Sequence, residues 1–140
     1  MKNKGKILCL IVILLSLASC KMEDSSVESF SFTVGANDWE WNPVYGRYEA
    51  VCDFPNLTQN VYKNGAIVGS IFVYEGGIET QTSLPYSQTY NSQKGTYVET
   101  ISFDTALGKM PSICFYIQTS DKLGTALKTR NFKITLISHW

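Results

Sequence analysis

Histidine is nearly missing from this 140-residue chain: His139, close to the C-terminal end, is the only one. With no second histidine and no well-placed acid, neither a serine nor a cysteine triad can be assembled. The histidine and cysteine clusters that hold transition metals are missing as well, so no cofactor and no metal site is expected and the domain reads as non-catalytic. A surplus of positive charge is also lacking. Lysine and arginine together number twelve, matched by twelve aspartates and glutamates. Nucleic acid requires a basic face to neutralise its phosphates and is therefore not an expected partner. Helical periodicity is confined to one short segment, which argues against alternating strand and helix units.

Long apolar runs are equally scarce. The one that occurs, from Ile7 to Leu17, is too short for a membrane-spanning helix, which needs about 20 residues. It follows Lys2, Lys4 and Lys6 and ends at the small pair Ala18-Ser19 before Cys20, the three-part pattern of an export signal. Residues 1–19 are accordingly read as a removable signal peptide. Without those three lysines, nine basic residues face twelve acidic ones, a net charge of −3 on the mature chain. Its length suits a single domain.

Leu17-Ala18-Ser19-Cys20 resembles a bacterial lipobox. The resemblance implies diacylation of the Cys20 sulfur, cleavage before it and acylation of the new amine. One acyl chain holds a protein to a bilayer only marginally, whereas several, at about 0.8 kcal/mol per buried methylene, hold it firmly. The membrane is thus an expected partner through N-terminal acyl chains attached at Cys20. Lys21-Met22-Glu23-Asp24 resembles the lysine-plus-acidic export tag of surface lipoproteins of the Bacteroidota, implying a cell-envelope, outer-membrane location with the domain facing outward. On composition alone the same residues are equally a solvated charged tether. Residues 20–28 read as a flexible lipid-proximal tether and residues 29–140 as the domain.

From Ser29 onward the apolar period is two. Phe30, Phe32 and Val34 alternate with polar residues, as do Tyr48, Ala50, Cys52 and Phe54 before Pro55. Further rows are Tyr97, Glu99, Ile101 and Phe103, then Ile113, Phe115 and Ile117, then Phe132, Ile134 and Leu136. Residues 67–74 are apolar on both sides, the mark of a central or doubly covered strand. Leu84-Pro85-Tyr86 suits an edge strand or loop. A short helical turn is expected within residues 57–65, capped by Thr58 and stopped by Asn64-Gly65. The expected fold is all-β, an antiparallel sandwich, immunoglobulin-like or related, of about seven to eight strands. Trp39, Tyr48, Leu57-Thr58 with Val61 and Gly65, Ile71-Phe72-Val73-Tyr74, Leu84-Pro85-Tyr86 and Phe132-Lys133-Ile134 together make a layout similar to small surface lipoproteins of the Bacteroidota. That resemblance implies a compact β-sandwich and supplies no catalytic residues.

Cys52 falls on the inward row of its strand, and Cys114 falls opposite the row Ile113, Phe115 and Ile117. The two sulfurs then need not face each other, although the envelope permits disulfides.

Candidate chemistry centres on Asp38-Trp39-Glu40-Trp41. If extended, the carboxylates project to one side and the indoles to the other. Asp38 and Glu40 as the acid and base of a small hydrolase form one reading, which requires a suitable separation and one raised pKa. Trp39 and Trp41 with Tyr45 as a stacking platform for sugar rings form another. A third has one tryptophan plugging the end of the sandwich and the other half-exposed. Tyr86 and Tyr90, with Tyr97 and the amides between them, suit either a recognition loop or a plain surface loop. Asp104 and Asp121 read as turn residues. The expected function is a non-catalytic envelope module that binds a glycan or protein, or serves a structural role. A hydrolase and a surface-anchored enzyme inhibitor are the alternatives.

Overall fold

The computed structural model describes residues 25–123 and 125–139. The expected signal peptide, Cys20 and the expected tether through residue 24 lie outside the described residues. In chain order the elements are β1 (Ser25–Val34), a 3-10 turn (Ala36–Asp38), β2 (Glu40–Asn42), β3 (Arg47–Asp53), α1 (Gln59–Asn64), β4 (Ala66–Glu75), β5 (Ile78–Ser83), β6 (Tyr86–Ser92), β7 (Gly95–Ala106), β8 (Ser112–Thr119) and β9 (Arg130–His139). They form two antiparallel sheets, ordered β1-β9-β4-β5 and β2-β3-β8-β7-β6. The fold is a sandwich-like, all-β architecture, as the alternation requires.

The two inner faces carry the rows read from the sequence. Phe132 lies between Phe32 and Ile71 in the first sheet, and Phe115 lies between Ala50 and Phe103 in the second. Between the layers the Phe115 and Phe132 rings stack at 4.1 Å, and Phe54 meets Phe30 and Phe32 edge-on. Burying side chains of this size supplies the main favourable contribution to folding, roughly 1.5–3 kcal/mol each. Gly69 on β4 faces this core where the Phe103 ring lies so close that no β-carbon fits. In α1 the Thr58 hydroxyl accepts from the Val61 N–H, and the Gly65 N–H closes the end on the Val61 carbonyl, as its caps predict.

Among the described residues nine strands stand where seven or eight were expected, and the additions are polar. Leu84-Pro85-Tyr86, read as an edge strand or loop, joins two edge strands, β5 in one sheet and β6 in the other. β1 starts at Ser25, so residues 25–28, read as tether, belong to a strand. Side-chain bonds tie both faces of β1 to β9: on the outer face Ser29 meets Thr135 and Thr33 bonds Asn131, and at the end of the inner row Ser26 meets the buried Ser138. Such a ladder satisfies a strand without any apolar signal. β4 is central, between β9 and β5, but its outer residues Val68 and Tyr74 are exposed.

Cys52 and Cys114 are free thiols on adjacent strands. Cys52 lies opposite the buried Ile113, whereas Cys114 lies opposite the exposed Val51. They therefore occupy opposite faces of one sheet. Burial pushes both thiols up, that of Cys114 to about 11, with the carboxylates of Asp38 and Asp53 adding to the effect at Cys52.

Candidate binding groove

The register of β3 leaves part of its edge without a partner. β8 pairs with residues Tyr48 to Asp53, but β2 covers only Arg47, Tyr48 and Glu49 on the other side. Phe54 donates its N–H to the Pro111 carbonyl across the β8 ladder. In an antiparallel pair such bonds fall on alternate residues, so the backbone groups of Val51 and Asp53 point away from β8. Beyond Glu40 the chain turns back through the 3-10 turn toward β1. Among the described residues no strand stands opposite Val51 and Asp53.

Two adjoining cavities of about 320 and 350 Å³ run along this edge and share Asp38, Glu40, Ala50 and Val51. Trp41, Asn42 and Glu49 extend the first, while Thr33, Asn37 and Cys52 extend the second. Among the described residues no lysine or arginine pairs with Asp38, Glu40 or Asp53. The Asp38 carboxylate accepts the Gly35 N–H at 2.8 Å and so stabilises the 3-10 turn, which is a structural task.

Beside the groove, Arg47 is held on four sides. It donates to Glu49 at 2.7 Å and to Asp104 at 3.2 Å, and its guanidinium lies over the rings of Tyr116 and Tyr45 at 4.0 and 4.9 Å. Asn42 completes the arrangement. Its amide donates to Glu49, and its carbonyl accepts from the backbone of Val44 and Tyr45, which shapes the turn carrying Tyr45. Desolvation drives the Glu49 carboxyl up, but the bonds from Asn42 and Arg47 and the Arg47 charge outweigh it. The group titrates below its ordinary range.

The sequence candidates separate. Trp39, 5 % exposed, packs edge-on against Phe132 and donates its indole N–H to the Lys128 carbonyl. It is the plug of the sandwich and is removed from the binding candidates, because a buried ring offers no face to a ligand. Trp41 is 42 % exposed, leans on Tyr48 at 5.0 Å and lines the groove, while Tyr45, 62 % exposed, does not line it and packs on Arg47. Tyr86 and Tyr90 lie on β6 and not in a loop. Register places Trp41, Tyr48, Ile117, Ile101 and Tyr86 in one row across five strands. At about 4.8 Å per strand, Trp41 and Tyr86 are roughly 19 Å apart along that row, so the two aromatic groups do not form one cluster.

At the Tyr86 end the tyrosines and Gln88 singled out in the sequence are joined by a buried ion pair that sequence reasoning passed over. Tyr90 stacks on Tyr97 at 5.4 Å and donates to Gln88 at 2.8 Å. Glu99, 2 % exposed, pairs with Arg130 at 3.4 Å. Burial raises the Tyr90 hydroxyl, with the nearby Glu99 charge adding to it. The available signal was a charged residue on the apolar side of the row Tyr97, Glu99, Ile101 and Phe103. Arg47, Asn42 and Glu49 were also missed, because each belongs to an ordinary outward polar position until the register assembles them.

No protein-family model, curated protein or solved structure matches this chain.

Proposed function

We propose that this is a lipid-anchored cell-envelope protein, held in the outer membrane through Cys20, whose non-catalytic β-sandwich binds a glycan or protein ligand in the groove beside β3. The observation that carries this reading is the groove itself. It joins an unpaired strand edge, a half-exposed indole and unpaired carboxylates in one place. Pockets with a few convergent polar groups and an aromatic wall are the usual form of a recognition site.

Asp38 and Glu40 both line the groove, which keeps a hydrolase as the second reading. The bond from Gly35 already engages one oxygen of Asp38, and that speaks for binding over turnover. Glycan-array and pull-down screens with the full chain, run beside Trp41→Ala, separate the two readings. The expected result is a ligand retained by the parent protein and lost with Trp41→Ala, with no turnover. Turnover of a glycan that disappears in Glu40→Gln establishes the hydrolase instead.

A further inference from the structure

We infer that the ligand of this groove is an extended polypeptide with basic side chains, which adds to β3 as an extra strand opposite Val51 and Asp53. The inference rests on the proposal that the groove is a binding site and names the class of partner. Four backbone groups, the N–H and C=O of Val51, which lines the groove, and of Asp53, which follows it along the same edge, face away from β8 without a strand to receive them, by the alternation that Phe54 and Pro111 establish. An extended peptide supplies complementary groups at the same spacing, and main-chain bonding of this kind gives affinity independent of sequence. A sugar has no such repeat.

Charge supplies the specificity. Asp38 and Glu40 line the cavities, Asp53 ends the open edge, and none of the three is paired with a cation among the described residues. Arg47, the nearby cation, is already engaged by Glu49 and Asp104. Lysine or arginine side chains on alternate positions of an added strand reach these carboxylates on one face. The exposed Val51 side chain, 67 % accessible, lies on the outer face of that edge and offers apolar contact to a neighbouring residue.

The test uses the full chain in detergent micelles and a blocked synthetic peptide alternating lysine with valine. Amide hydrogen exchange is followed at Val51 and Asp53. The expected result is that millimolar peptide slows exchange at both amides. Methylating alternate peptide nitrogens, replacing its lysines with glutamates, or introducing Glu40→Gln should each weaken binding about tenfold or more. Val51→Pro, tolerated where an edge N–H points outward, should abolish protection at Asp53 while leaving the fold intact. Unchanged exchange at both amides overturns the inference, and so does equal binding of the N-methylated peptide. A neutral oligosaccharide that perturbs Trp41 and Glu40 while the peptide does not also overturns it, yet leaves the groove a binding site. If neither probe perturbs the groove, the inference and the functional reading of the groove fall together.

Discussion

Glu49 shows how one side chain links stability to solution conditions. Its carboxylate receives Arg47 and Asn42 and is held below the ordinary glutamate value, about 4.3 in an unfolded chain. The folded state therefore binds fewer protons than the unfolded state across that window. Stability from this group is fully present above about pH 4.3 and is lost as pH falls through the lower folded value. Urea unfolding at neutral pH should show Glu49→Gln less stable by about 1–2 kcal/mol, as expected for a charge-assisted bond weakened but not removed. The difference from the parent protein should shrink on acidification. A constant difference down the acid limb would mean that the pair contributes packing and not charge. At the same scale, Trp39 and Trp41 illustrate what spacing conveys. Residues two apart on an extended chain share a side, and both indoles do turn inward. Only the register reveals that Trp39 lies under Phe132 while Trp41 reaches the open rim.

Among the elements, those with an apolar row were legible and those without one were not. Phe30-Phe32-Val34, Ile113-Phe115-Ile117 and Phe132-Ile134-Leu136 all line the core, because a strand with one buried face must alternate. The start of β1 escaped, and β5 and β6 were legible only as one edge strand or loop around Leu84-Pro85-Tyr86, since serine and threonine hydroxyls and backbone ladders hold them. The three-residue β2 escaped because such a segment is too short to show a period. The groove depends on where β2 stops relative to β3, a pairing between segments that no single segment encodes. Glu99 belongs at this scale too, because it joins β7 to the start of β9 through Arg130. The Nε of Arg130 is buried without a hydrogen-bond partner, so the pair is imperfectly satisfied. Glu99→Ala should cost about 3–5 kcal/mol by stranding the arginine, whereas Glu99→Leu combined with Arg130→Met should restore most of that loss. Denaturant midpoints of the two variants decide the matter. Equal losses in both would show that the pair is net stabilising and not merely tolerated.

For the whole molecule, the proposed anchor and the groove stand at opposite ends of β1. Ser25 follows Cys20 by five residues, a reach of at most about 17 Å. Thr33 and Val34, which line the groove, lie about 30 Å farther along the strand at 3.3 Å per residue. An anchor at Cys20 thus leaves the unpaired β3 edge remote from the attachment point, where a polypeptide outside the bilayer can reach it. The direct measurement is the intact mass of the protein isolated from the cells that express it, with fragmentation of its N-terminal peptide. The account predicts a chain that begins at Cys20 and carries acyl groups on its sulfur and amine. A chain that retains residues 1–19, or that bears an unmodified thiol at Cys20, would contradict it.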